Sequence, residues 1–443
     1  MDQQGVYIST YGCQMNVNDT ERMYSLLEMS NYEPVSRPED ASLIIINSCS
    51  VREKPVHKVR SEVGIYKRLK DKNPNLKIGV GGCVGQQEKN KLLVDIPLLD
   101  FVFGPDAIDQ LPAILADVNS KKEKQVSTSF THGQPYQIET LVRNPGVSTF
   151  VNITKGCDNF CTFCVVPFTR GRERSRNLNE VILDVQKLIA RGVKEVTLLG
   201  QNVNSYQSDC GSKFGELLLA LVNKTSIERI RFTTSHPKDF DLELAQIIAK
   251  HGDRIMEYIH LPMQAGNSEV LDRMNRGYTR EEYITKAKML MDVIPGACLS
   301  TDIIVGFPGE TDEQFEDTMS MLDEVPYESI YAFKYSPRPF TKAATYTDQV
   351  PEKVKSERLT RLLAKHRQVA FDLAKKYLGQ SLKVLVEEWH EDGRCFGRST
   401  QNKSVHFQGT QDLVGKTVDV FINEAYPSTL HGELAKDLKP AVI

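Results

Sequence analysis

Phe150-Val151-Asn152-Ile153-Thr154-Lys155-Gly156-Cys157-Asp158-Asn159-Phe160-Cys161-Thr162-Phe163-Cys164 is the stretch that decides the fold of this chain. It opens with an apolar, β-branched run that reads as a strand. Three cysteines follow at once in Cys-x3-Cys-x2-Cys spacing, on the loop that leaves the strand's carboxyl end. Thiolates this close can grip three corners of a 4Fe-4S cluster and leave the fourth iron open to a substrate or cofactor. The competing reading is a structural zinc site, which closes with four Cys or His ligands. With no fourth Cys or His close in sequence, that site would need a distant ligand such as His132 or His236.

The same strand is the first of six, at 150–153, 195–199, 229–233, 258–261, 300–305 and 329–333, with helical patterns between them. In one such helix Val181, Val185, Leu188 and Ile189 share a face, and Gly192 stands where a C′ residue belongs. Six repeats predict an incomplete (β/α) barrel over 148–375, with its chemistry at the strands' carboxyl ends. Residues 1–117 also alternate, with strands at 6–8, 43–46, 77–80 and 101–103 and helices at 18–29 and 52–69. They predict a parallel sheet with helices on its faces. Periodicity is lost over 118–147, which reads as a linker. Beyond a charged helix from residue 352, short strands such as Lys383-Val384-Leu385-Val386 and Thr417-Val418-Asp419-Val420-Phe421 predict a small β-barrel over 376–443. The expected fold class is therefore α/β, in three domains.

Cys13, Cys49 and Cys83 are far apart in sequence, yet each follows a predicted strand of the first domain and precedes a helix. In a parallel sheet those loops share one edge, where ligands gather. A second three-Cys cluster site is the preferred reading; buried small hydrophobes are the other. Cys210, Cys298 and Cys395 lack such context and read as incidental or core.

The 443 residues are 40% hydrophobic and 26% charged, as in a soluble globular protein, and carry a net charge of −3, which speaks against nonspecific coating of nucleic acid. Leu43-Ile44-Ile45-Ile46 is the longest clean apolar run, far short of the roughly 18 residues a membrane span needs. No signal-peptide pattern opens the chain. A cytoplasmic protein with no membrane partner is expected, whose nine cysteines do not form a disulfide framework. Gly-rich segments such as Gly79-Val80-Gly81-Gly82 lack the Lys-Ser/Thr ending of a P-loop, so an ATPase is set aside.

On these residues the chain resembles the radical S-adenosylmethionine (SAM) methylthiotransferase family over nearly its whole length. Its three parts are similar, in order, to that family's methylthiotransferase, radical SAM and TRAM domains. Thr10-Tyr11-Gly12-Cys13-Gln14-Met15-Asn16, Asn47-Ser48-Cys49-Ser50-Val51-Arg52-Glu53-Lys54, Val165-Val166-Pro167-Phe168-Thr169-Arg170-Gly171-Arg172-Glu173 and His260-Leu261-Pro262-Met263-Gln264 resemble the branch acting on tRNA. The resemblance implies two 4Fe-4S clusters and SAM as cofactors. The cluster on Cys157, Cys161 and Cys164 would chelate SAM and reduce it to a 5′-deoxyadenosyl radical that takes the hydrogen from C2 of an adenine. The cluster on Cys13, Cys49 and Cys83 would hold or deliver sulfur, and a second SAM would supply the methyl group. The implied product is a methylthio group on C2 of N(6)-dimethylallyladenosine at position 37 of tRNA, next to the anticodon. An aspartate of a ribosomal protein is the alternative target, and a noncatalytic RNA-binding protein with structural metal is a third reading. An electron donor and a sulfur donor are the further partners implied, and a monomer is expected.

By the same resemblance Phe163 lies beside the SAM adenine, Gly200-Gln201-Asn202 receives its methionine end, and Ser235 and Asp302 make polar contacts. For each polar residue the other reading is ordinary loop capping. Phe340, in Ser336-Pro337-Arg338-Pro339-Phe340-Thr341, stands where the family usually has Gly, which leaves the local turn open. Arg170, Arg172, Arg174 and Arg176 fall within seven residues just after the cluster loop, and at a barrel mouth they could hold RNA phosphates around the anticodon stem-loop. Arg394, Phe396, Arg398, Lys403, His406 and Phe407 of the last domain are further RNA-contact candidates.

Overall fold

Buried β-branched runs build the first sheet. In the computed structural model, described for residues 4–50, 53–121, 123–130, 136 and 138–435, Leu43–Ser48 is buried at every position. Both its faces are covered, as in a parallel sheet. Leu43 and Ile45 meet Met23 and Leu27 of the helix Gln14–Glu28, whereas Ile44 and Ile46 meet Val59 and Val63 of the helix Glu53–Lys72. Six strands, β1 (Gln4–Tyr11), β2 (Tyr32–Pro34), β3 (Leu43–Ser48), β4 (Lys77–Gly81), β5 (Phe101–Phe103) and β6 (Gln125–Ser127), pair in the order β2-β1-β3-β4-β5-β6. All the pairings are parallel.

The four expected strands are present. β2 and β6 are three-residue edge strands, too short to show alternation, and they are held through the backbone of a neighbour. β6 corrects the linker expected over 118–147: the helix Leu111–Lys121 runs past residue 117, and Gln125–Ser127 pairs with β5. Arg52 and His132 lie outside the described residues.

The central domain places β7 (Ser148–Asn152), β10 (Glu195–Leu199) and β11 (Arg229–Phe232) in one parallel sheet, and β12 (Tyr258–His260), β13 (Cys298–Val305) and β14 (Tyr327–Lys334) in another. A parallel bridge between Ile230 and Ile255 joins the two. Val151, Val196, Leu198, Ile230, Leu299 and Ile303 turn outward onto the covering helices, which gives the incomplete barrel that the sequence predicts. Gly192 ends the helix Leu178–Ala190 with φ of +93°, the conformation its position demands. At the mouth, β8 (Thr154–Lys155) and β9 (Arg174–Ser175) form a short antiparallel ladder that frames the cysteine loop.

The long helix Glu352–Lys375 lies against β14 and leads to a closed barrel of β15 (Ser381–Trp389), β16 (Arg394–Ser399), β17 (Ser404–Gln408), β18 (Thr417–Ala425) and β19 (Thr429–Leu434), ordered β15-β16-β17-β19-β18. It docks on the amino-terminal ends of the central strands. Arg231 donates to the carbonyls of Ser399 and Thr400 at 2.7 and 2.9 Å and ion-pairs with buried Glu195 at 2.9 Å. Arg229 reaches the carbonyl of Arg398 at 2.9 Å, and Lys403 is tied to buried Glu328 at 2.6 Å. Lys403 therefore belongs to this junction and Phe407 to the barrel core, which removes both from the RNA-contact candidates. Among the described residues no helix is long and apolar enough to cross a membrane.

Replacing Arg231 with Ala strips two carbonyls of their donors and leaves Glu195 charged, buried and unpaired. A loss of about 3–5 kcal/mol is expected, read as a lower denaturant midpoint and faster proteolysis at the junction. An unchanged midpoint would show that this contact does not anchor the last domain.

Candidate active site

The cysteine loop is shaped by backbone contacts before any cofactor enters. Gly156 has φ of +79°, and a Cβ there would stand 2.1 Å from the Arg172 carbonyl oxygen, so only glycine fits. Its N–H donates to Gln201 Oε1 at 2.5 Å, and the Cys157 N–H donates to the Gly171 carbonyl at 3.2 Å. Farther along, Thr162 donates through N and Oγ1 to the carbonyls of Met274 and Arg273, at 3.0 and 2.8 Å. Asn275 Nδ2 donates to the carbonyls of Asn159 and Phe160, and Arg276 Nη1 donates to Cys161 Sγ at 3.2 Å. Burial pushes the Cys157 thiol up to about 11 and that of Cys164 to about 12. Such thiols become thiolates only when a cation binds them, which is the donor chemistry of a metal cluster.

Cys161 and Cys164 open onto a cleft of about 590 Å³ rimmed by Phe160, Phe168 and Phe340. Phe340 adopts φ of +70°, so the chain keeps a turn suited to glycine, with an exposed ring tilted by 35° against that of Phe168 at 5.9 Å. A non-glycine residue in this region costs on the order of 1–3 kcal/mol.

The second triad gathers as the strand order requires. Cys13, Cys49 and Cys83 follow β1, β3 and β4, which are adjacent in the sheet. Cys13 caps the helix Gln14–Glu28, Cys83 lies in the helix Gly82–Glu88, and the Cys49 N–H donates to the Tyr11 carbonyl at 2.8 Å. The Cys49 thiol hydrogen-bonds to both neighbours, which brings Cys13 and Cys83 down to about 6, helped by the nearby Arg170 guanidinium, and pushes Cys49 up. Three thiols sharing one corner beside a guanidinium, those of Cys49 and Cys83 buried, are a donor set that fits an iron-sulfur core. Among the described residues, no three His, Cys, Asp or Glu side chains converge on the spacing of a single metal ion. A four-iron core has no such need, because each thiolate binds its own iron. Of the two histidines considered as a distant zinc ligand, His236 is described: its Nδ1 accepts from the Lys238 N–H at 3.3 Å, and burial keeps the ring neutral, down to about 2.

The elements that carry the two triads are packed against one another. The helix Gly82–Glu88 packs on Val166–Thr169, which follows Cys164 directly. Arg170 Nη2 then meets Asp19 Oδ2 at 2.7 Å, Asn152 Nδ2 donates to Asn18 Oδ1 at 2.6 Å, and Asp106 holds both Lys155 and Arg174. This corrects the reading of the four arginines as a phosphate-binding word. Arg170 is 3% and Arg176 1% exposed; Arg176 is ion-paired with Asp184 at 2.7 Å, and Arg174 grips Asp106 with both oxygens at 3.0 Å. Their chain segment threads the seam between domains, so the charges turn inward. Arg172 alone stays exposed, forked onto Asp158.

Gln201 spends its oxygen on the cysteine loop, and Gly200 lets that loop approach, since a Cβ there would stand 2.0 Å from Thr154 Oγ1. Asn202 Nδ2 donates to Asp239 at 2.7 Å, which leaves its buried Oδ1, like Ser235 Oγ, without a hydrogen-bond partner. Orphaned buried polar atoms at the carboxyl ends of two strands fit a polar ligand. Asp302 faces His260 Nε2 at 3.4 Å, and Phe163 packs on the cluster of Met274 and Phe307. Arg276, Asp19, Asp106 and Glu173 belong to the site and had no local sequence signal, because their partners come from distant segments.

Comparison with known proteins finds relatives over nearly the whole chain. Residues 5–104 match the uncharacterized protein family UPF0004, residues 151–322 the radical SAM superfamily and residues 375–435 the TRAM domain. Over 432 residues the chain is 63% identical to tRNA-2-methylthio-N(6)-dimethylallyladenosine synthase of Bdellovibrio bacteriovorus, covering 97% of this chain and 95% of the relative. The enzymes of the same name from Carboxydothermus hydrogenoformans and Bacillus subtilis are each 44% identical, over 98% of this chain and 100% and 86% of theirs. In fold it is similar to the radical SAM methyltransferase TsrM of Kitasatospora setae, with a TM-score of 0.57 at 15% identity, over 78% of this chain and 74% of that one.

Glu173, beside the cysteine loop, accepts from Ser205 Oγ at 2.6 Å, and burial pushes its carboxyl up to about 7. The unfolded chain releases this proton near 4.5 and the native state near 7, so stability falls as pH rises across that window. Relative to Glu173→Gln, the wild-type protein should lose stability from pH 5 to 7 and level off above; denaturant unfolding of both at each pH measures it, and a constant gap would contradict the burial.

Proposed function

Because the chain belongs to the family of tRNA-2-methylthio-N(6)-dimethylallyladenosine synthases, we propose that its two cysteine triads hold two iron-sulfur clusters serving one reaction, methylthiolation of C2 of N(6)-dimethylallyladenosine at position 37 of tRNA. The chain is a radical SAM tRNA methylthiotransferase, with SAM and an iron-sulfur cluster as cofactors. The observation that carries the finer reading is the buried seam of Asp19, Arg170, Asp106 and Lys155, which packs the domains that carry the triads against one another.

Cys157, Cys161 and Cys164 would hold the SAM-binding cluster, and Cys13, Cys49 and Cys83 the second. When bound, the first cluster and SAM supply a 5′-deoxyadenosyl radical, the kind of reagent that an aromatic C–H demands because acid-base groups cannot activate it. Gln201 fixes the cysteine loop by holding the Gly156 N–H. Asn202 Oδ1 and Ser235 Oγ offer free hydrogen-bonding capacity to the polar ends of SAM, Asp302 lies farther along the same mouth, and Phe163 forms an apolar wall.

For the anticodon stem-loop, Arg172, forked onto Asp158, is an exposed cation beside the cysteine loop, and Arg273 and Lys342 line the cleft. On the last barrel Phe396, His406 and His431 stand in register on β16, β17 and β19, with ring centroids 5.2 and 5.4 Å apart. Such an outward row suits stacking with nucleobases. The target base must leave its stack to reach the clusters, which a loop nucleotide does at little cost. A one-electron donor and a sulfur donor complete the cycle, and the enzyme works as a cytoplasmic monomer.

A nucleoside digest of tRNA from a deletion strain should lack 2-methylthioadenosines and regain them on complementation; an unchanged digest rejects the reading. Cys161→Ala should abolish 5′-deoxyadenosine release, whereas Cys49→Ala should retain it and lose sulfur transfer. Loss of both activities in Cys49→Ala would show that the sites are not separable.

A further inference from the structure

Arg276 is buried, at 5% exposure, and donates to Cys161 Sγ at 3.2 Å, to the Pro262 carbonyl at 3.1 Å and to Tyr278 OH at 3.0 Å. None of these partners is a carboxylate, and among the described residues no carboxylate ion-pairs with it. A guanidinium cannot shed its proton, and a buried cation without counter-charge is costly. The balancing charge must come from the triad it touches. Neutral thiols supply none. Three thiolates around a 4Fe-4S core of charge +2 leave a net charge of −1, equal and opposite to the guanidinium.

We propose that Arg276 is the counter-ion of the cluster held by Cys157, Cys161 and Cys164 and sets its reduction potential through the N–H···S contact to Cys161. This rests on the reading that the triad holds such a cluster. Reduction by a one-electron donor adds one electron and takes the cluster with its thiolates from −1 to −2. A fixed cation and a hydrogen bond to a ligand sulfur both stabilise the more negative state, and so raise the potential. The second triad is served differently. Its nearby guanidinium, Arg170, is shared with Asp19 in an ion pair at 2.7 Å, so part of its positive charge is offset, and no described hydrogen bond joins it to a cysteine sulfur. An incoming electron therefore favours the cluster that must reduce SAM. Arg276 is a positioning residue, acting through Cys161 and not on the substrate.

The test is an EPR-monitored redox titration of the reconstituted full-length enzyme without SAM, with iron and sulfide measured on the same samples and Cys161→Ala reporting the second cluster alone. Arg276→Gln should shift the first cluster's reduction equilibrium about tenfold toward the oxidised form, ~59 mV for one electron, and leave the second cluster's midpoint unmoved. Arg276→Lys keeps the charge without the fork and should fall between. A first-cluster midpoint unchanged in Arg276→Gln, with its iron intact, overturns the proposal. If the Gln variant does not load, Arg276→Lys decides: a midpoint below wild type supports the proposal and one equal to it overturns it. Wild-type enzyme without iron at this triad would overturn the cluster reading itself, a failure that the metal analysis identifies before any potential is read.

Discussion

The molecule depends on one buried ion pair, Arg170 with Asp19, formed by side chains 151 residues apart. Asp19 stands six residues past Cys13, and Arg170 six past Cys164, so each partner lies one short helical segment from a cysteine of its own triad. Removing either partner while the seam stays closed would leave the other charge buried and unmatched, a penalty of about 3–5 kcal/mol. Asn18 with Asn152, and Asp106 with Lys155 and Arg174, make the same demand beside it. The packing of the two domains is thus set by charge pairing in a buried seam, which tolerates little sliding because several pairs would break together.

Most of the architecture was legible because it is written in local pattern. Leu43–Ile46 is apolar at successive positions because both faces of β3 are covered, Cys13, Cys49 and Cys83 each follow a strand, and the other three share one loop after a strand, where parallel topology gathers loops. β2 and β6 were not legible: three residues held by a neighbour's backbone leave no side-chain rhythm. The arginine word shows the other limit. Its composition is conspicuous, but whether a guanidinium faces solvent or a carboxylate from another domain is decided by tertiary contact. Arg276 had no signal at all, since Cys161 is 115 residues away. Phe340 was flagged as a departure, and its backbone retains the glycine-like turn while its ring joins the cleft rim.

The central barrel divides its labour by strand polarity. Carboxyl ends carry the cysteine loop, Asn202 and Ser235, with hydrogen-bonding capacity left unmet. Amino ends carry Arg229, Glu257 and Glu328, which find partners in the last domain, as when Glu257 accepts from Thr400 Oγ1 at 2.7 Å, and Glu195, held by Arg231 of the same strand layer. Loop groups with unmet hydrogen-bonding capacity at one end and ion pairs to a second domain at the other separate the reactive pole from the structural one.

On the proposed reading of the ring row as an RNA contact, that docking at the amino ends acts as a ruler. The row of rings on the small barrel and the cysteine loop lie at opposite ends of strands up to eight residues long, on the order of 20 Å or more apart. A mononucleotide can occupy one end only, whereas a folded arm of RNA can touch both, so simultaneous engagement selects substrates by length before any base is inspected.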